Sequence, residues 1–268
     1  MTWTLERKRE AAARAPLAPL YTRDDTRIIE RPGWYQSVTP SAKTYLNQVS
    51  LCEIDDDDAD RLIDETVATY REHGVRFRWI VTPFSRPADL GERLSRRGFE
   101  AIAIRAMGCD TARGASMNDD GHGASRVTVE DVDAAGLHGF VRTMLRGWGM
   151  SEEQAAEEAR LHERVMTRDP RTVHFFGAKL DGEWVATSAL VLRDGYGFLL
   201  GGQVRERARG HGAYRALLAA RLAFLHQRGF EYVVTHALEA TSAPILEHLG
   251  FETLYRSTTW VLTPWLRP

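Results

Sequence analysis

Cysteine is scarce in this chain of 268 residues: only Cys52 and Cys109 carry a thiol. Neither has a metal-ligand or redox partner at motif spacing, and this economy fits a reducing compartment. His122 and His138 show no zinc pattern either, so no metal is expected. Lysine stands only at positions 8, 43 and 179, although Lys and Arg together number 35. The arginines are spread along the chain and interleaved with acids, so the skew reads as biased composition rather than a binding surface. A formal net charge of −2 gives no global attraction to nucleic acid. Long apolar runs are missing, which excludes a transmembrane helix and makes a membrane an unexpected partner. The first ten residues are charged where a signal peptide needs an apolar stretch. A cytoplasmic protein is the expectation.

What is present suffices for a core: hydrophobic residues make up 43%. The length suits one large domain or two small ones. The small, polar, glycine-rich run Ala112 to Ser125 reads as a linker, 112–125, between a domain at 1–111 and one at 126–268.

The C-terminal part reads clearly. A short strand at 126–129 precedes helices over 131–148 and 151–166. Strands at 173–180, 184–192 and 196–204 follow, joined by Asp181-Gly182 and Asp194-Gly195, two hairpin turns that predict an antiparallel meander. From Gly212 a helix sets Tyr214, Leu217, Leu218, Leu222 and Leu225 on one face. Gly229 marks its end. A strand at 232–238, a short helix from Thr241 or Ser242, and a strand at 254–262 complete the order. The N-terminal part repeats its end more weakly: strand 47–54, helix 58–72, strand 76–81, helix 87–97, strand 101–107. Gly98-Phe99 and Gly250-Phe251 close the two copies at matching places, which suggests duplication.

The most informative stretch runs from Val204 to Leu217, Val-Arg-Glu-Arg-Ala-Arg-Gly-His-Gly-Ala-Tyr-Arg-Ala-Leu. A basic, glycine-containing turn between strand and helix is an anion site, because unpaired N–H groups and the helix dipole both point outward there. Gly210 and Gly212 let a ligand approach the backbone closely. The turn therefore implies a phosphate-bearing cofactor. A dinucleotide fingerprint fits less well: Arg215 occupies the third glycine's place, and the preceding strands form a meander rather than βαβ. Asp55 to Asp58 lack the ligand spacing of a calcium loop and read as an exposed turn that caps a helix at Asp58.

With Arg209-Gly210-His211-Gly212-Ala213-Tyr214 followed by Leu249-Gly250-Phe251, the C-terminal half resembles the GNAT acetyltransferase superfamily, and the N-terminal half resembles a degenerate copy. The fold class expected is α/β (α+β), two GNAT-like domains, each a mixed, largely antiparallel sheet flanked by helices. The resemblance implies acetyl-CoA as cofactor, its diphosphate held by Arg209, Gly210, His211, Gly212, Ala213 and Tyr214. Its pantetheine arm would run along Gly202, Gln203 and Val204, where Gly201-Gly202 could mark a bulge. A backbone N–H of this strand would serve as oxyanion donor. Asp55-Asp56-Asp57 stand where the first copy would need such a loop, so one cofactor site is expected. Two positions depart from the family's pattern: Tyr214 replaces a small residue, and Leu246 replaces a tyrosine that can protonate the leaving thiolate. Tyr196, His236 and Glu239 are candidates for the proton-removing base, and Tyr255 for the missing acid. The function implied is acetyl transfer to a primary amine of a small molecule. A protein or peptide amine, or a non-catalytic acyl-CoA sensor, stand as alternatives.

Overall fold

The structure, a computed structural model, describes residues 3–17, 25–40, 44–117, 126–148 and 151–262. In chain order the first elements are α1 (Leu5–Arg14), β1 (Arg27–Arg31), β2 (Trp34–Val38), β3 (Gln48–Ser50), α2 (Asp56–Glu72), β4 (Arg78–Val81), α3 (Leu90–Arg96) and β5 (Glu100–Asp110). Then follow α4 (Arg113–Ser116), β6 (Val127–Asp131), α5 (Leu137–Trp148), α6 (Glu152–Met166), β7 (Val173–Leu180), β8 (Glu183–Arg193) and β9 (Tyr196–Val204). The last elements are α7 (Ala213–Gln227), β10 (Tyr232–Leu238), α8 (Ser242–His248) and β11 (Glu252–Val261). No helix among the described residues is long and apolar enough to cross a membrane.

Two compact units result. The first comprises residues 1–107 and 236–268, the second 108–235. The sequence reading drew a linear division at 112–125 instead. Of that segment, 118–125 lie outside the described residues, and 113–116 form α4.

In the first unit the strands run β1-β2-β3-β4-β11-β5. The strand latest in sequence, β11, lies antiparallel to β4, with Thr258 opposite Val81 and Trp260 opposite Trp79. Trp79 is the centre of the core. Trp34 meets it edge-on at 5.7 Å, and Phe77 bridges it to Tyr70, whose ring stacks at 4.0 Å. Buried phenols need an acceptor, and Tyr70 Oη donates to the carbonyls of Ser37 and Gln48 at 2.8 and 3.2 Å. Sequence periodicity gave no account of residues 1–46. There Thr4 caps α1 by accepting from the N–H of Arg7, and a turn at Pro32-Gly33 joins β1 to β2. The expected strand 47–54 stops at Ser50, because Leu51 turns into positive φ (49°). Helix α2 begins at Asp56, two residues before its expected cap. Asp56, Asp57 and Asp58 fill its first turn, where the helix dipole favours carboxylates.

In the second unit the order is β10-β9-β8-β7-β6. β9 and β10 are parallel and the other pairs antiparallel, so the expected meander is there. Helix α7 packs on β6 to β9 through Leu217, Leu218, Leu222 and Leu225, all buried. Trp184 fills a slot between β7 and α5 that only glycine permits. A Cβ on Gly177 would stand 1.9 Å from its Cζ3, and one on Gly139 2.3 Å from its Nε1.

Candidate cofactor site

The site is built on the end of β9. Thr187 faces Gln203 and Ala189 faces Leu200, so Ser188 alone opposes both Gly201 and Gly202. This two-against-one register is a β-bulge, and Gly201 takes the positive φ (59°) it requires. On its other edge β9 pairs with β10 from Gly197 to Leu199, and no further among the described residues. From Leu200 to Val204 that edge therefore offers backbone donors and acceptors to a ligand. The segment Gly201-Gly202 is exposed, and Gln203 and Val204 are half-buried.

The chain then makes a single 3₁₀ turn, Glu206–Ala208, and enters the loop. Gly210 and Gly212 have φ of 80° and 81°, and nothing lies within 4 Å of where their Cβ atoms would stand. A side chain at either would be strained and would fill that open space. Helix α7 has Gly212 as its N-cap with no side-chain cap, and its first backbone bond runs from Ala216 N–H to Gly212 O. The N–H groups of residues 210–214 donate to no group among the described residues. They form a row of donors at the positive end of a helix dipole. Arg209, just before them, is exposed, and its side chain has no partner among the described residues. The neighbouring arginines are engaged. Arg207 is paired with Glu183, and Arg215 Nε donates to Met117 O at 2.9 Å.

Tyr214 turns its ring inward. Cε2 lies 2.9 Å from where a Cβ on Gly202 would stand, so the ring rests on the bulge. Burial raises its phenol pKa, opposed by the charge of Arg221. Arg221, two turns further along α7, is 2% exposed. It donates Nε to Leu217 O at 3.1 Å and Nη1 to Ala189 O at 3.2 Å. Burial pulls its pKa down to about 10. A single arginine on the apolar face of α7, between Leu217, Leu218 and Leu222, was the sequence signal for it.

The base candidates fall in different places. Tyr196 opens β9, opposite Arg193, at the far end of the strand from the bulge. Its distance along β9 to Gly201 is roughly 16 Å at about 3.3 Å per residue. His236 and Glu239 belong to the first unit. His236 Nε2 lies 2.9 Å from Ala12 O; a carbonyl only accepts, so Nε2 carries the proton. Burial first, then the charge of Arg78, hold the His236 pKa down to about 4. Glu239 sits between Arg105 at 2.6 Å and Arg256 at 3.6 Å, and the hydrogen bond from Arg105 pulls its pKa down. Leu246 is buried, and Tyr255, also buried, meets Phe84 edge-on at 5.4 Å.

The first unit has a counterpart of the site, between β3 and α2, and its own residues fill it. Past β3, Arg86 N–H donates to Cys52 O at 2.8 Å, and Ile54 N–H to Arg86 O at 3.4 Å. The chain thus pairs with the segment where the second unit leaves a free edge. At the start of α2, where the second unit presents bare N–H groups, stand carboxylates bound to α3. Arg93 pairs with Asp56, Asp60 and Asp89, and Arg97 with Asp60 and Asp64. Negative charge at a helix N-terminus repels a diphosphate.

Residues 138–251 match the acetyltransferase (GNAT) family. This stretch spans the meander, the bulge, the donor-lined loop and α7. The chain carries a GNAT acetyltransferase domain, and it is an acyltransferase. A search among curated proteins finds no match. Among solved structures the chain is similar to a functionally unknown conserved protein from Staphylococcus epidermidis, with TM-score 0.69, 11% identity, and coverage of 89% of this chain and 94% of that one. It is also similar to a GCN5-related N-acetyltransferase from Kribbella flavida, with TM-score 0.63, 12% identity, and coverage of 95% and 94%. A tandem GNAT protein from the clavulanic acid biosynthesis pathway aligns with TM-score 0.61, 17% identity, and coverage of 95% and 87%. At these identities the likeness is one of fold. GNAT proteins generally use acetyl-CoA, and the first unit resembles the same fold with its loop replaced by acids.

Proposed function

We propose that the second unit binds acetyl-CoA along residues 202–214 and that the acetyl group passes to a primary amine of a small molecule. One observation carries this reading: a bulged strand with a free edge leads, through a single 3₁₀ turn, into a row of unpaired N–H groups. The first feature suits an extended amide-bearing arm, the second a diphosphate. The open space over Gly210 and Gly212 and the unpartnered Arg209 suit two negative charges.

The cofactor supplies the acetyl thioester; the chain supplies position and charge. Residues 210–214 and Arg209 hold the diphosphate, and Gly202, Gln203 and Val204 align the arm. A backbone N–H at the bulge would be the oxyanion donor for the thioester carbonyl. Neither His236 nor Glu239 is a strong base, and Tyr196 stands at the far end of β9 from the bulge. His236 is neutral at working pH but binds a proton weakly, and Glu239 is an ionised carboxylate held as such by arginines. The reacting amine is therefore the fraction already neutral in solution. The first unit is a degenerate GNAT-like unit that binds no second cofactor, and the protein works in the cytoplasm.

The test is release of free coenzyme A thiol from acetyl-CoA across a panel of small amines and a panel of peptides. Turnover with a small amine is the expected result. Turnover with peptides alone overturns the acceptor class, and binding of acetyl-CoA with no turnover on either panel overturns the reaction.

A further inference from the structure

We infer that Tyr214 and Arg221 are positioning residues that fix the Gly201-Gly202 bulge and thereby set affinity for the arm of the cofactor rather than for its diphosphate. The inference rests on the reading above for the identity of the ligand, but its geometry stands without it.

The bulge has little to hold it in place. Two successive glycines give it the widest conformational freedom a chain can have, and on the β10 side the ladder has already ended at Leu199. Beyond the ladder pairs with β8 that flank it, the restraint comes from α7. The Tyr214 ring rests on Gly202 so closely that a methyl group there would stand 2.9 Å from Cε2. One residue beyond Ser188, Arg221 clamps the partner strand by donating to Ala189 O at 3.2 Å. The same guanidinium donates to Leu217 O at 3.1 Å, on its own helix. The helix that carries the diphosphate loop thus grips both strands of the bulge, β9 through a ring and β8 through a hydrogen bond.

Arg221 is costly as a structural device. It is 2% exposed, and among the described residues no carboxylate pairs with it. A buried cation without a counter-ion keeps a desolvation cost that hydrogen bonds to carbonyls offset only in part. Its place here is explained by what it aligns. Tyr214 fits the same account. The position calls for a small residue if only the loop mattered. An aromatic ring costs nothing to the donor row, because its backbone N–H remains unpaired while its side chain points inward.

The experiment compares two probes on the full chain. Coenzyme A engages the loop and the free edge of β9, whereas adenosine diphosphate engages the loop alone. Both are titrated calorimetrically against wild type, Tyr214→Ala, Tyr214→Phe, Arg221→Met and Arg221→Lys. Hydrogen exchange at residues 186–189 and 200–204 is measured in parallel without ligand. Tyr214→Ala and Arg221→Met are expected to weaken coenzyme A about tenfold, the equivalent of one misplaced hydrogen bond. Adenosine diphosphate should bind as before, and exchange around the bulge should quicken several-fold. Tyr214→Phe keeps the ring and should keep affinity; Arg221→Lys should recover part of it. Parallel loss of both probes, or unchanged exchange around the bulge, overturns the inference. If wild type binds neither probe, the functional reading fails, and the exchange result alone then decides whether these residues fix the bulge. Arg221→Met is expected to fold, since an apolar chain of similar length replaces a buried charge.

Discussion

Gly212→Asp should abolish stabilisation by acetyl-CoA, and Gly74→Asp should leave it intact. Both glycines are exposed, have positive φ (81° and 63°), and have open space where a Cβ would stand. Each substitution therefore carries the same backbone strain, about 1–2 kcal/mol, which the helix dipole partly offsets at 212 and adds to at 74. They differ in what the new carboxylate faces. At 212 it stands at the N-cap of α7, beside the unpaired N–H groups of residues 210–214. A negative charge about 5 Å from a phosphate, at an effective dielectric near 20, costs roughly 3 kcal/mol, which weakens binding more than about 100-fold. At 74 it stands in the turn after α2, in the other unit. The assay is the melting temperature with and without acetyl-CoA at about 100 times its dissociation constant. Wild type and Gly74→Asp should gain about 2.7 kcal/mol, or roughly 5–10 °C at about 2–4 °C per kcal/mol. Gly212→Asp should gain about 0.4 kcal/mol, roughly 1 °C. A full shift in Gly212→Asp would refute the assignment of the loop. A lost shift in Gly74→Asp would show that strain alone, not the site, controls the response.

Four further outcomes follow from the same geometry. Tyr196→Phe should change kcat/KM by less than about threefold, since it lies roughly 16 Å along β9 from the bulge; a loss beyond 100-fold would place the chemistry at the other end of the strand. His236 is held at about 4 in the folded chain against 6.5 when unfolded. Its neutral form is thus favoured by folding, so its contribution is complete above pH 6.5 and is lost as pH falls from there through 4. Wild type should lose up to about 3 kcal/mol more than His236→Gln over that range, measured as the difference in denaturation midpoints; equal acid sensitivity would contradict the burial of the ring. The same depression means that kcat/KM should rise about tenfold per pH unit up to the pKa of the acceptor amine itself, with no inflection from His236 between pH 5.5 and 7.5. Arg93→Ala leaves Asp56 and Asp89 unopposed and Asp60 to Arg97 alone, and should lower the urea midpoint at low salt, less so at high salt; an unaltered urea midpoint would show that the network is idle.

The parts of the fold that were legible in the sequence are those written in short-range signals. Asp181-Gly182 and Asp194-Gly195 mark their hairpins because such turns need residues that tolerate unusual backbone angles. The inner face of α7 is visible in the spacing of Leu217, Leu218, Leu222 and Leu225. Gly210 and Gly212 announce the loop for the same reason they build it. Long-range facts left no such trace. Nothing local in Glu252 to Val261 says that this strand belongs beside β4, and nothing near Arg86 says that its backbone closes the free edge after β3. Arg221 was visible only as a charge out of place on an apolar face. The base candidates were named from their positions at strand ends, and only the surroundings show that His236 is bound to Ala12 O and Glu239 is tied to two arginines.

The pairing of Thr258 with Val81 has a consequence for how the protein is made. During synthesis the first unit emerges from the ribosome long before β11 exists, with the edge of β4 unpaired and the Trp79 core open on one side. Domains usually fold as they emerge, at about 5–20 residues per second. The last strand of this unit arrives only after the whole acetyltransferase unit has been translated. Through that interval an apolar strand edge is exposed, the kind that other chains capture. Expression of the intact protein should therefore depend on chaperones that shield strand edges, and more so when translation between β4 and β11 is slow.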